Sequence, residues 1–239
     1  MARRYVIKQD SAPSAPISGI DYHATLNEEQ YAAVSSEPGA ALVIAGAGSG
    51  KTRTLTYRVA WLLDHGTDPW NILLLTFTNK AAREMTERVR ALIPIDLSRL
   101  WSGTFHSIAN RILRQHADYL GYTPAFTIMD SDDRKSMIKS IVKALKLDEK
   151  SSRFPKPEVL SSLFSLADNE GAGIQETLEN AYPYLSNHLD AILDVHEQYV
   201  LRKQETNSMD FDDLLLNVVR LFQEQEHLRA LYGLSLIHI

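Results

Sequence analysis

Cysteine is absent from the 239 residues, and with it go disulfides, thiolate nucleophiles and cysteine-ligated zinc or iron–sulfur clusters. Long apolar runs are missing as well. No stretch approaches the about 18 residues of a membrane span, and Tyr5-Val-Ile-Lys-Gln-Asp10, behind Arg3 and Arg4, has no apolar core of the length an export signal uses. The expected setting is cytoplasmic, with no membrane partner. Nor is there an excess of positive charge: 25 Lys+Arg face 30 Asp+Glu, a formal net charge of −5. Any case for a nucleic-acid partner must therefore rest on local residues. What remains is an ordinary globular composition, 44% hydrophobic, with length for one large domain or two small ones.

The most informative stretch runs from Ala41 to Thr54. Leu42-Val43-Ile44 reads as a buried strand, Ala45 to Gly50 as a glycine-rich turn, and Thr54 to Leu63 as a helix with Leu55, Val59, Leu62 and Leu63 on one face. Gly46, Gly48 and Gly50 leave no Cβ in the way, so backbone N–H groups of Ala47, Gly48, Ser49 and Gly50 can close around phosphate oxygens where the positive end of the helix dipole sits. Lys51 adds a full charge for the outer phosphates, and Thr52 offers a hydroxyl to Mg²⁺. The wording is A-x-x-x-x-G-K-T, with Ala45 in place of the first glycine of the usual phosphate-loop pattern.

Around this loop the chain alternates. Ser-Ala-Pro-Ser-Ala-Pro within residues 1–20 predicts a flexible arm. Asn27 is placed to cap a helix with Glu28 and Glu29 in its first turn, and Gln30 follows about one turn in, presenting an amide donor and acceptor together, as adenine's edge requires. Ile72 to Thr76 predicts a second strand, reached by a β-α-β crossover in a parallel sheet. Phe77-Thr78-Asn79-Lys80 then pairs an aromatic with small polar and cationic groups, a combination suited to base stacking beside phosphate. Trp101 to Ser107 reads as a strand end and turn before an amphipathic helix with Ile108, Ile112 and Leu113 inward and Arg111 and Arg114 outward. His106 stands at that turn, placed to contact DNA or to transmit nucleotide state, or else a hydrogen-bonded structural residue.

Beyond Gly121 the pattern turns helical. Phe126 to Ile128 is a short strand candidate, and Asp130 opens a helix with Met137, Ile138, Ile141, Val142 and Leu145 on one side and Lys135, Lys139 and Lys143 on the other, either a phosphate-facing row or a solvated face. Asp212 and Asp213 point about 100° apart on a helix and read as an acidic helix start, not a metal site. His196-Glu197 has Val200 where a zinc H-E-x-x-H helix needs its second histidine. Asn79-Lys80 has Ala82 where the guanine-reading N-K-x-D needs its carboxylate.

Taken together, Leu26 to Gln30, Ala45 to Arg53, Thr76 to Met85, Gly103 to Ser107 and Met209 to Leu215 resemble, in order, the Q motif and motifs I, Ia, Ib and Id of superfamily 1 DNA helicases of the UvrD/Rep/PcrA type. The resemblance covers roughly residues 21–232. It implies an α/β fold: a RecA-like P-loop NTPase parallel sheet, domain 1A, over 21–118 and again over 206–232, with an inserted all-helical subdomain, 1B, over 119–205. It implies ATP and Mg²⁺ as cofactors, with Gln30 and Arg53 at the nucleotide, Lys51 at the phosphates and Thr52 at the metal. Phe77, Asn79, Thr104 and His106 are implied to face single-stranded DNA. The implied activity is ATP-driven 3′-to-5′ movement on single strands and separation of duplex, with single-stranded DNA and single-strand/duplex junctions as partners; the oligomeric state is open, a monomer being favoured.

The same resemblance leads one to expect a strand and a D-E-x-x-D motif soon after the helix ending at Tyr232. The chain instead reads Gly233-Leu-Ser-Leu-Ile-His-Ile239, a tail outside the family pattern, or a short apolar strand. The expectation is therefore an N-terminal part of a helicase, incomplete at its C-terminus. The alternative is a module that binds nucleotide and single strands without hydrolysis.

Overall fold

Two short apolar runs make the sheet on which the first half of the chain is built. In the computed structural model, which describes residues 18–37, 39–150, 154–235 and 237–238, β1 (Ile72–Thr76) pairs in parallel with β2 (Trp101–Thr104), Leu73 opposite Trp101 and Thr76 opposite Thr104. On its other side β1 carries the two-residue β3 strand Ile237–His238, also parallel, so the strand order is β2-β1-β3. Of the C-terminal segment, residues 233–235 continue a helix that begins at Glu226 and residues 237–238 form this strand. Parallel neighbours need a crossover, and α1 (Asn79–Leu92) supplies it between β1 and β2.

The helix that follows the glycine-rich turn, α2 (Lys51–Asp64), buries Val59, Leu62 and Leu63 against Ile72, Leu74, Met85 and Val89, with Leu55 partly buried beside them. Each such aliphatic side chain removed from water is worth about 1.5–3 kcal/mol. Among the described residues two helices precede α2: α3 (Tyr22–Thr25) and α4 (Glu28–Ser35), the latter opened by an Asn27 capping box in which Asn27 and Gln30 bond reciprocally.

One expectation is corrected here. Leu42-Val43-Ile44 forms no strand: residues 41–46 have no regular structure, and Leu42 and Ile44 are 86% and 89% exposed. β-branched composition favours a strand, but a strand exists only where a neighbour takes up its backbone N–H and C=O groups. Both sides of β1 are already taken by β2 and β3, and no strand among the described residues pairs with 42–44.

By internal contact the chain divides into one unit of residues 1–108 with 230–239 and a second of residues 109–229. Among its described residues the second unit is helical with a two-residue parallel ladder, β4 (Thr127–Ile128) with β5 (Ser208–Met209). Its core is contributed by α5 (Ser131–Ala144), α6 (Pro157–Glu170), α7 (Ile174–Ala181) and α8 (Leu189–Glu205), through Ile138, Ile141, Leu160, Phe164, Leu178, Ile192 and Tyr199. The strand predicted over 126–128 is present as β4; its partner β5 carries no sequence signal of its own. Asp210 caps α9 (Phe211–Glu224) in a capping box with Asp213. Asp212 bonds Arg134 and Ser165 at 2.6 and 2.7 Å, and Lys203 reaches Asp213 at 2.7 Å and Asp210 at 3.2 Å. The acidic helix start thus forms as a buried ion-pair network, and no group of three or more potential metal ligands gathers among the described residues.

One further side chain differs from the sequence reading. Arg114, expected to face outward, donates from Nη1 to the carbonyls of Pro124 and Phe126 and lies 3.8 Å from the Phe126 ring centroid. Its guanidinium holds the turn before β4. His196 packs edge-on against Phe164 at 4.9 Å, and burial lowers its pKa, as suits a neutral core histidine. The predicted arm over residues 1–20 lies outside the described residues as far as residue 17. From Ser18 onward the chain is bonded to α2.

Candidate nucleotide and nucleic-acid sites

The glycine-rich turn is shaped by two residues in the left-handed region. Gly48 has φ 78° and Gly50 φ 86°, a conformation that costs a residue with a Cβ about 1–2 kcal/mol. Gly50 is the N-cap of α2, so the first N–H groups of that helix open toward the turn without a side chain to cap them. This is the physical basis of an anion site: unsatisfied donors at the positive end of a helix of 14 residues.

The side chains expected to serve that site gather around it. Lys51 folds back so that its ammonium donates to the carbonyls of Ala45 and Gly46 at 3.0 and 2.8 Å. The hydroxyl of Ser49 donates to the Gly46 carbonyl at 2.8 Å, closing the turn on itself. Gln30 donates from Nε2 to the Ser49 carbonyl at 3.0 Å. Arg53 donates to the Thr25 carbonyl at 3.0 Å with its guanidinium 5.1 Å from the Tyr57 ring centroid. Ala47 is exposed at the tip, and Thr52 stands exposed in the first turn of α2. Gln30, Ser49, Gly50, Lys51 and Arg53 are thus brought together, while Tyr57 and Thr25, which hold Arg53, carried no signal in the sequence.

A second set lies at the C-terminal ends of β1 and β2. Because Thr76 stands opposite Thr104 in a parallel pair, the residues that follow them leave the sheet side by side. Phe77 is 96% exposed. Thr78 caps α1 by accepting from the Ala81 amide at 3.1 Å, so Asn79 is the first helical residue and is exposed. Thr104 accepts from the Ser107 amide at 3.2 Å and turns the chain into the helix α10 (Phe105–His116), placing His106 in its first turn. An open groove of ≈ 560 Å³ borders the same end, lined by Asn79, Arg83, Thr86, Ser102, Gly103 and Ser107. A Cβ on Gly103 would collide with the Ser107 hydroxyl, which would have to turn away from its bond to the Thr104 carbonyl. Ser107 and Gly103 lie inside the sequence pattern, but only the fold gives them a common groove.

The parallel sheet and the helices packed around it make this an α/β protein. The chain belongs to the UvrD/REP helicase N-terminal domain family, whose pattern matches residues 26–238. It is 41% identical over 199 residues to the ATP-dependent DNA helicase PcrA of Staphylococcus aureus (strain Mu50 / ATCC 700699), covering 83% of this chain and 26% of that protein. It is 40% identical over 199 residues, with the same coverage, to the ATP-dependent DNA helicase PcrA of Staphylococcus epidermidis (strain ATCC 12228 / FDA PCI 1200). The chain therefore spans about a quarter of the length of these relatives. No helix among the described residues is long and apolar enough to cross a membrane.

Proposed function

We propose that this chain is the ATP-binding and single-strand-binding N-terminal part of a cytoplasmic, monomeric DNA helicase that moves 3′ to 5′ and acts at single-strand/duplex junctions. The observation that carries the reading is the joint placement of Gln30 and Gly50: an amide able to read adenine is docked on the carbonyl that precedes an unobstructed helix N-terminus. The amides of Ala47 to Gly50 receive the phosphates, Lys51 leaves the Ala45 and Gly46 carbonyls to meet the outer phosphates, and Arg53 contacts the nucleotide from its seat on Tyr57.

Magnesium fits this arrangement as an ion carried in with the nucleotide. Mg²⁺ typically keeps several waters and takes few protein ligands beside substrate phosphates, and the exposed hydroxyl of Thr52 suits a single such ligand. When bound, the ion neutralises charge on the phosphate oxygens. The protein's own part is to hold the chain of phosphates along the helix N-terminus and to orient the base.

At the ends of β1 and β2, Phe77 stacks on a base while Asn79, Thr104 and His106 hold the adjoining backbone over the groove. The helical unit of residues 109–229 corresponds, on this reading, to the inserted subdomain, expected over 119–205. β4 lies inside those bounds and pairs with β5, just beyond them, so the two tie together the segments on either side of the subdomain's helices.

Binding of ATP by the purified 239-residue chain, compared with Lys51→Ala, tests the assignment. Affinity is expected to fall at least tenfold in the variant, a loss of about 1.4 kcal/mol or more. An unchanged affinity removes the phosphate role from Lys51.

A further inference from the structure

Asp64 is the last residue of α2 and is fully buried. A carboxylate there sits at the negative end of the helix dipole and out of water, two circumstances that both disfavour its charge. It is held by donors from a distant part of the chain: the Ser18 amide at 2.7 Å, the Ser18 hydroxyl at 2.7 Å and the Tyr22 hydroxyl at 3.1 Å. Burial and the neighbouring carboxylate raise the Tyr22 pKa, so the phenol stays protonated and donates.

From that anchor the chain is laid along α2 in the direction of the glycine-rich turn. The Tyr22 ring packs edge-on against Trp61 at 5.0 Å, and Tyr31 does so at 6.0 Å. Arg53 fixes the end of α3 through Thr25, and Arg58 fixes the end of α4 by donating to the Val34 carbonyl at 2.6 Å. Gln30, at the start of α4, comes to rest on the Ser49 carbonyl. Gln30 thus lies on a strap whose far end is tied at Asp64.

We propose that Asp64 is a positioning residue for base recognition. Through Ser18 and Tyr22 it sets where the Gln30 amide stands over the phosphate loop. It cannot touch the nucleotide itself: the 14 residues of α2 span about 20 Å at 1.5 Å per residue. The proposal rests on the reading of Gln30 as the adenine contact, and it makes a separable statement: losing the anchor weakens recognition of the base and leaves the hold on phosphate intact.

The test measures binding of ATP and of inorganic tripolyphosphate to the full chain and to three variants: Asp64→Asn, the double variant Ser18→Ala/Tyr22→Phe, and Gln30→Ala. The double variant keeps the Tyr22 ring in its aromatic contacts and removes only two hydroxyls, so it serves if Asp64→Asn does not fold. In Asp64→Asn and in the double variant, ATP affinity is expected to fall about fivefold, the scale of one lost hydrogen bond, with tripolyphosphate affinity unchanged. Equal loss for both ligands makes Asp64 a merely structural residue and overturns the proposal, as does no loss for either. If Gln30→Ala lowers ATP affinity selectively and the anchor variants do not, the proposal alone fails. If Gln30→Ala lowers neither, the adenine reading fails and takes the proposal with it.

Discussion

The Gln30 amide nitrogen lies 2.7 Å from the point where a Cβ on Gly50 would stand, while it donates to the Ser49 carbonyl at 3.0 Å. Gly50 is thus required twice: for its left-handed backbone and for the room that lets Gln30 dock. Gly48 shares the first requirement, with φ 78°, but a Cβ there would meet nothing within 4 Å.

These two glycines should therefore respond differently to alanine. Gly48→Ala should cost about 1–2 kcal/mol of backbone strain. Gly50→Ala should cost this and in addition about 0.5–1.5 kcal/mol, because the displaced Gln30 loses its hydrogen bond. Urea unfolding of Gly50→Ala, Gln30→Ala and the double variant measures the coupling between the two positions. A coupling of about 0.5 kcal/mol or more is expected for residues in contact, whereas strict additivity would mean that Gln30 yields at no cost.

Phe77 makes the second prediction, since a ring that is 96% exposed contributes little to the core. Phe77→Ala should leave stability within about 0.5 kcal/mol of the parent chain and weaken single-stranded DNA binding by about 1–3 kcal/mol. Thermal unfolding and fluorescence anisotropy with a labelled oligonucleotide separate the two effects. A fall in stability with unchanged DNA affinity would return Phe77 to a packing role.

The motifs were readable because their chemistry is local. Asn27 and Asp130 announce helix starts through side chains that reach only two or three residues along the chain. The apolar face of α2 follows from a 3.6-residue period, and Gly50 from the need for a left-handed turn before Lys51. What escaped depends on partners far away in sequence. Leu42 to Ile44 has strand composition, yet it is unpaired, because pairing belongs to the neighbour as much as to the segment. Lys203 carried no signal in the sequence, and it is almost fully buried between Asp210 and Asp213. Asp64 looks like an ordinary acidic residue at a helix end until Ser18 and Tyr22 are seen to close on it.

The buried network in the helical unit yields the last prediction. Asp168 on α6 has its pKa pushed up from 3.8 to about 6, chiefly by burial and also by Asp210, Asp213 and Asp212, against the attraction of Lys203. Asp210 is lowered instead: burial works against its charge, but Lys203 and Arg134 overcome it. The signs differ. Between pH 3.8 and about 6 the folded chain keeps a proton on Asp168 that the unfolded chain has released, so its contribution to stability falls as pH rises through that window. Asp210 stabilises above its ordinary value and loses that contribution as pH falls through its lowered one. Asp168→Asn, which cannot ionise, should therefore melt with the parent chain near pH 4 and above it at pH 8. Allowing for partial exposure, a rise of about 2–4 °C is expected, the shift given by about 1 kcal/mol in a chain of this size. A constant difference across the pH range would show that the substitution acts through packing and that the Asp168 charge is not the source of the cost.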